Sequence, residues 1–292
     1  MFFSIVIPTY NRAGFIVKTL QSLLRQQYDN FEILVVDDGS TDNTAEAVNR
    51  IGDKRVSYYK KQNEERGAAR NYGARLAKGD YINFFDSDDV AYENHLAAAH
   101  RAVTKLASPE VFHLGYDVKD EEGVILKKAD NYPQTINDLL VNGNHLSCNG
   151  VFIRKDIAGS YPFSENRSLS ASEDYALWLR LASRFPFHCV NEITSTVVNH
   201  DARSVIRINR DHFLQRIELL QMEVLNDGEF IRRYKGQINV FKAFLNIYIA
   251  LHLAMANNPK KENFPFLVKA VKLKPSIIIS YRFLAALKNV II

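Results

Sequence analysis

The first ninety residues alternate between apolar runs of strand length and segments of helical periodicity, and this alternation limits the architectures open to the chain. Residues 3–8 (FSIVIP), 31–36 (FEILVV), 55–60 (RVSYYK) and 81–85 (YINFF) read as strands. Between the first two, Ile16, Val17, Leu20, Leu23 and Leu24 share one helical face. After the second strand, Gly39 allows a tight turn, and Thr41 or Asp42 can cap a helix reaching Arg50. Residues 67–78 (GAARNYGARLAK) read as a helix entered through a glycine and closed by Gly79 as a C′ glycine. Strand, helix, strand in repetition predicts an α/β fold with a parallel sheet and right-handed crossovers.

Ligands of such sheets bind beyond the carboxyl ends of the strands. Three polar clusters are expected there: Thr9-Tyr10-Asn11-Arg12, Asp37-Asp38, and the carboxylates Asp86, Asp88 and Asp89. Crowded carboxylates repel one another, so they stay wet or are neutralised by a cation. An all-oxygen set with one residue between Asp86 and Asp88 suits a hard divalent ion that also takes phosphate oxygens. The plainer alternative is an acidic turn with Asp88 or Asp89 capping the next helix. Asp37-Asp38 is either a base-and-ribose site or an Asp turn. Arg70 can meet phosphate or carboxylate with its planar fork, or lie solvated on an Ala-rich packing helix.

Further along, a helix is expected over 93–106, strands over 111–116, 150–154 and 194–200, and a hairpin turn at 120–123 (DEEG). Residues 172–184 read as a capped amphipathic helix in which Trp178 faces the core. At its start Glu173 and Asp174 either serve the helix dipole or expose a general base. His200 ends the last strand before a polar turn with Ser204, where an imidazole can meet phosphate or metal, although a lone histidine is more often structural. From Asn209 the strands stop. The boundary is placed near 205: 1–205 form the sheet domain, with halves of about 1–115 and 116–205, and 206–292 are helical.

Several classes fall away. No GxGxxG follows the first strand, and neither a P-loop nor a GxSxG elbow occurs. Cys148 and Cys189 are the only cysteines, too few for a disulfide framework and without a CxxC, so a reducing cytosol is expected. The start lacks a signal-peptide pattern, so none is expected. The net charge is +4; residues 260–292 hold seven basic residues and one acidic, or +6, which leaves −2 elsewhere. A nucleic-acid partner is therefore not expected.

Five pieces in order, VIPTYNR (6–12), VVDDGSTD (35–42), GAARNYG (67–73), GDYINFFDSDD (79–89) and SEDYALWLRL (172–181), resemble family 2 glycosyltransferases. These are inverting enzymes of the GT-A fold that use nucleotide-sugar donors. The resemblance covers roughly the first 200 residues. It implies a Rossmann-like, mostly parallel sheet flanked by helices, followed by a C-terminal helical region. It implies a metal-dependent transfer of a sugar, from UDP in preference to dTDP or GDP, to an acceptor hydroxyl in bacterial surface-polysaccharide synthesis. The donor nucleotide would be held by Pro8, Thr9, Tyr10, Arg12, Asp37, Asp38, Arg70, Asp86 and Ser87, with Asp38 reading the uracil. Asp88 would bind Mg²⁺ or Mn²⁺ with the donor diphosphate, and His200 lies where some members place a further metal or diphosphate ligand. Asp174 would be the base and Glu173 would orient a glycan or lipid-linked acceptor.

Residues 240–256 are apolar but contain Lys242, Asn246 and His252, which favours a buried helix over a membrane span. Residues 264–274 and 277–292 pair apolar faces with Lys and Arg. They either pack as helices with a solvated basic face or attach a cytoplasmic protein to the anionic inner face of the plasma membrane. Other functional readings are a scaffold that binds nucleotide-sugar without catalysis, a nucleotidyltransferase, which would carry a glycine-rich basic loop after the first strand, and a glycoside hydrolase, which needs neither nucleotide nor metal.

Overall fold

β1 (Phe3–Thr9) is buried along its whole length. A continuous apolar strand of this kind belongs in the middle of a sheet covered on both faces. The computed structural model describes residues 1–200, 209–256 and 259–291, without the side chains of Lys260 and Ile291. Ser204 and the expected boundary near 205 lie outside the described residues.

After β1 come α1 (Ala13–Leu24), β2 (Phe31–Asp37), α2 (Thr44–Asn49), β3 (Val56–Lys60), α3 (Glu65–Leu76), β4 (Tyr81–Phe84), β5 (Val90–Ala91) and α4 (His95–Lys105). Next are β6 (Val111–Asp120), β7 (Ile125–Lys127), α5 (Asn137–Leu140), β8 (Val151–Arg154), α6 (Lys155–Ser160), α7 (Glu173–Ala182) and β9 (Phe187–Asn199). The remainder is helical: α8 (Arg210–Leu225), α9 (Gly228–Tyr234), α10 (Ile238–Met255), α11 (Lys260–Leu273) and α12 (Tyr281–Ile291).

The strands form one sheet in the order β3-β2-β1-β4-β8-β6-β9-β5, with β7 paired to β6. β3, β2, β1 and β4 are mutually parallel, so their carboxyl ends stand side by side. β8 runs antiparallel between β4 and β6, and β9 returns parallel to β6. Pro8 sits in the central strand without breaking it. β4 pairs with β1 only as far as Val6, so no ladder bond is asked of the proline nitrogen on that side.

The helix α1 buries Ile16, Leu20 and Leu23 in the same cluster as Ile5, Ile33 and Phe112. Each such side chain contributes about 1.5–3 kcal/mol by burial. α3 lies so close to the sheet that a Cβ on Gly73 would stand 2.3 Å from Val6 Cγ1. One on Gly67 would stand 2.2 Å from the Ser164 carbonyl oxygen. These glycines of the GAARNYG segment therefore serve helix packing. α3 begins at Glu65, two residues before the expected start. Gly79 is not a left-handed cap: Ala77 ends the helix, and a Cβ on Gly79 would stand 2.4 Å from the Ser4 nitrogen. The reason for glycine there is close approach of two backbones. Neither Asp88 nor Asp89 caps a helix, because α4 starts at His95 after Asn94.

The chain divides into two units that do not follow sequence order. The first gathers Met1–Ile136, Leu146–Arg167 and the segment beginning at Phe185; the second gathers Asn137–His145, Ser168–Arg184 and the C-terminal helices. α7, which carries Glu173 and Asp174, thus belongs to the helical unit. Within that unit α10 is central, and Ala243, Ile247 and Ala250 pack with Leu267, Ala270, Ile277 and Phe283. Gly228–Met255 is long and apolar enough to cross a membrane by length and composition. A 3-10 turn at Lys235–Gln237 separates α9 from α10 within it, and α10 buries Phe241, Leu245 and Leu253 besides the residues just named.

Candidate functional site

The parallel register sets Thr9 directly beside Asp37, and the Thr9 carbonyl accepts from the Asp38 amide at 2.8 Å. Asp37 is fully buried, and its carboxylate closes the turn that follows. Oδ1 accepts from the Ser40 amide at 2.7 Å, and Oδ2 accepts from the Tyr58 hydroxyl at 2.5 Å. Burial, and then the accepting Asp37 carboxylate, raise the Tyr58 pKa above the usual phenol range. Asp38 is engaged as well: Oδ1 accepts from Lys61 Nζ and the Glu64 amide, both at 3.0 Å, and Oδ2 from the Glu65 amide at 2.8 Å. Its local role is to hold the entrance of α3. Oδ2 keeps a lone pair that can accept one more donor.

The segment after β1 folds onto the segment after β2. Asn11, in a left-handed conformation (φ 51°), accepts through Oδ1 from the Thr41 amide at 2.8 Å. The Arg12 amide donates to Thr44 Oγ1 at 3.0 Å. Asp42 does not cap α2 from its expected place; its Oδ1 accepts from the Thr44 amide, the first residue of that helix, at 3.1 Å. Tyr10 is 47% exposed at the edge. Thr9 Oγ1 is buried and has no hydrogen-bond partner among the described residues.

The third cluster is held from below. Arg70, with its side chain 2% exposed, reaches Asp86 Oδ1 at 2.9 Å and lies over the Phe163 ring. A planar guanidinium suits a carboxylate in this setting. Asn149 then fixes the loop from both ends. Its Oδ1 accepts from the Asp86 amide at 2.8 Å, and its Nδ2 donates to Asp89 Oδ2 at 2.7 Å. Asp89 is fully buried and accepts from the Val198 amide at 2.9 Å, which ties the loop to the end of β9. The Ser87 carbonyl accepts from Thr19 Oγ1 at 3.0 Å.

That tie delivers His200. Its Nε2 lies 3.2 Å from Asp88 Oδ2, and its ring stacks on Phe15 with centroids 4.4 Å apart. Arg12 Nε lies 3.7 Å from the same Asp88 oxygen. His200 Nδ1 is buried without a hydrogen-bond partner among the described residues. Among those residues no three His, Cys, Asp or Glu side chains form a ready metal cage. One carboxylate oxygen and one imidazole nitrogen nevertheless fit a divalent ion whose remaining ligands are water and phosphate oxygens.

In the helical unit, Glu173 and Asp174 begin α7. Asp174 is half-buried; Oδ2 accepts from Asn144 Nδ2 at 3.0 Å, and Oδ1 takes the Tyr175 amide at 2.7 Å. Glu173 is buried, and its Oε2 accepts from the Ser172 amide at 3.0 Å. Trp178 is fully buried, as its helical position suggests.

The first unit thus brings Thr9, Asp37, Asp38, Arg70, Asp86, Asp88, Arg12 and His200 to the edge where the parallel strands end. Sequence reasoning missed Asn149, Asn144 and Phe15. None of them belongs to a motif, and only the fold brings the two amides to the carboxylate clusters and Phe15 to His200.

The sequence model of glycosyl transferase family 2 matches residues 4–153, half of the chain. The chain belongs to glycosyl transferase family 2. It is 31% identical over 243 residues to an uncharacterized glycosyltransferase of Rickettsia felis, covering 75% of this chain and 40% of that protein. It is 32% identical over 186 residues to WfaP of Escherichia coli, named as a UDP-Glc:α-D-GlcNAc-diphosphoundecaprenol β-1,3-glucosyltransferase, covering 62% of this chain and 70% of WfaP. The chain spans under two thirds of the length of the Rickettsia relatives it matches. Among solved structures it is similar to residues 1–349 of TarS from S. aureus in complex with UDP-GlcNAc. There the identity is 19% and the TM-score 0.63, over 97% of this chain and 92% of that one. It is also similar to the mannosyltransferase PcManGT of Pyrobaculum calidifontis in complex with GDP-Man and Mn²⁺. That match has 18% identity and a TM-score of 0.59, over 99% and 87% of the two chains. The family 2 chain therefore has the GT-A fold: a mixed α/β sheet with flanking helices and a C-terminal helical region.

Proposed function

We propose that this family 2 glycosyltransferase moves a sugar from a UDP-sugar to an acceptor hydroxyl with inversion, in the synthesis of a cell-surface polysaccharide. The observation that carries the reading is the convergence of Asp88, His200 and Arg12 at the carboxyl edge of the sheet, where the strand end before Arg12 also holds a buried Thr9 hydroxyl with no hydrogen-bond partner among the described residues. The names of WfaP and of the TarS complex support UDP over GDP, which PcManGT binds.

Each residue has a proposed part. Thr9, Tyr10, Asp37 and Asp38 line the base and ribose end, with the remaining lone pair of Asp38 Oδ2 taking the uracil N–H. Pro8 lies beyond the last β1 residue that pairs with β4 and would border the same end. Arg70 fixes Asp86 toward the ribose, and Ser87 follows in the same loop. Arg12 offers positive charge to the diphosphate. Asp88 and His200 would hold Mg²⁺ or Mn²⁺, which supplies Lewis-acid stabilisation of the charge growing on the leaving diphosphate. Asp174 takes the proton of the acceptor hydroxyl as it attacks from the opposite face of the sugar. Glu173 orients the acceptor. One displacement of this kind inverts the anomeric centre.

A glycan or lipid-linked acceptor is proposed on the strength of the name of WfaP. A place in the cytoplasm against the anionic inner leaflet fits the +6 tail. The exposed Ile279 (81%) and Tyr281 (85%) lie within it and suit an interfacial anchor.

The test is a thermal-shift panel of UDP, GDP, dTDP and CMP, each with Mn²⁺ and with EDTA. A shift with UDP and Mn²⁺ that EDTA removes is expected. A shift with another nucleotide keeps the mechanism and changes the donor. No shift with any nucleotide at millimolar concentration overturns the reading.

A further inference from the structure

The helical unit encloses a cavity of about 290 Å³ beside Asp174. A volume of this size holds a small ligand or part of a larger one. Its walls are mostly apolar: Ile217 and Leu220 from α8, and Phe244, Leu245, Ile247 and Leu251 from α10. Polar side chains interrupt them, Ser172, Tyr248 and His252 among them, and two others set its chemistry. One is Asp174, held by Asn144 at 3.0 Å. The other is Arg282 of α12, which donates to the Asn142 carbonyl, lies 3.3 Å from His145 Nε2 and stands over the Phe244 ring. His252 also lines the cavity, and burial lowers its pKa, so its imidazole is neutral there. Arg282 is the one fixed cation among the described lining residues.

The same short turn carries both polar features. Asn142 meets Arg282 and Asn144 meets Asp174, so at most about 7 Å of backbone separates the two holding points. Gly143 between them has φ 131°, and a Cβ there would stand 2.1 Å from Arg282 Nη1. Glycine keeps the guanidinium in place on two counts: its backbone conformation and its lack of a side chain.

We propose that this cavity is an acceptor subsite for an amphiphile. The apolar chain lies along α8 and α10, a phosphate-type anion meets Arg282, and the part bearing the reacting hydroxyl meets Asp174. The chemistry follows from the lining: apolar walls reward burial of an alkyl or isoprenoid chain, and a guanidinium selects phosphate through paired N–H donors. The assignment rests on Asp174 being the base of the proposed transfer.

The test uses the full chain titrated calorimetrically with n-decyl phosphate below its micelle concentration, against inorganic phosphate and 1-decanol. Each titration is repeated after adding UDP and Mn²⁺. Decyl phosphate is expected to bind at least tenfold tighter than either reference. Arg282→Gln should weaken decyl phosphate about tenfold and leave decanol unchanged. Leu251→Trp should fill the cavity and block both, with the nucleotide response retained. Equal binding of decyl phosphate by the wild type and Arg282→Gln overturns the proposal, as does no binding by a chain that still answers to UDP. If Leu251→Trp does not fold, the Arg282→Gln comparison decides alone. Amphiphile selectivity without any nucleotide response would overturn the glycosyltransferase reading of the site and leave the ligand class standing.

Discussion

Asp88 Oδ2 stands 3.2 Å from His200 Nε2 and 3.7 Å from Arg12 Nε, so one carboxylate oxygen is shared by groups from two other, widely separated parts of the chain. A cation placed there would draw on Asp88 and His200. Asp88→Asn should abolish the Mn²⁺-dependent part of nucleotide binding. His200→Ala should weaken Mn²⁺ at least about 10- to 100-fold, since losing even a residue that only orients a metal ligand costs that much. Nucleotide titration at fixed Mn²⁺ checks both. Unchanged Mn²⁺ dependence in Asp88→Asn would remove the assignment.

Asp174→Asn keeps the size of the side chain and removes its basicity. Transfer should fall about 10²- to 10⁴-fold. Binding of UDP with Mn²⁺ should stay within a factor of two or three, since that site is proposed on the other unit. Initial rates alongside calorimetry separate the two effects; a parallel loss of nucleotide binding counts against Asp174 as base.

Asn149→Ala leaves the Asp86 amide and the buried Asp89 carboxylate each short of a partner. Each such loss costs about 1–3 kcal/mol. Chemical denaturation should show a drop on that scale, with weaker UDP binding because the 86–89 loop loses its tie. A neutral Asn149→Ala would mean that the loop is held by other contacts.

The buried histidines make a prediction about pH. His95 sits between Thr194 Oγ1 at 2.9 Å and Asn83 Oδ1 at 3.3 Å. Asn83 Nδ2 is turned to the Asn149 and Val151 carbonyls, so Oδ1 faces His95 and Nε2 of the ring is the donor. Burial lowers His95 to about 3, and burial with the nearby His95 lowers His113 to about 3. Both folded values lie below the unfolded one of about 6.5. The unfolded chain therefore binds more protons between these limits, and stability rises with pH there. It is complete above about 6.5 and is lost as pH falls toward 3. Melting temperatures from pH 8 to pH 4 should decline from near 6.5, more gently in His113→Gln. A flat profile down to pH 5 would contradict the neutral buried pair.

The exposed apolar residues near the C-terminus should insert into anionic membranes. Full-length protein is expected to co-sediment with phosphatidylglycerol vesicles at low salt. A negative charge introduced by Ile279→Glu or Tyr281→Glu should reduce this at least tenfold without altering nucleotide binding. Indifference of the wild type to such vesicles would leave the lysines as a solvated face.

The alternation of apolar strands and periodic helices was enough to determine the parallel half of the sheet. Local burial and spacing dictate those elements, so β1, β2 and β4 and their carboxyl-end clusters are legible in the chain. The five ordered motifs likewise carried the family. What the chain did not reveal is which carboxylates are spent on holding the fold. Asp37, Asp38, Asp86 and Asp89 look alike in sequence, yet Asp89 is wholly engaged by Asn149 and Val198, and Asp86 is anchored by a buried Arg70. That Gly67 and Gly73 serve packing is likewise decided only by the closeness of α3 to Ser164 and Val6. The partners lie 60 residues or more away in the cases of Asn149 with Asp89 and Val198 with Asp89. No local pattern encodes such pairings. They follow from the order in which strands join the sheet, and the tertiary structure alone fixes that order.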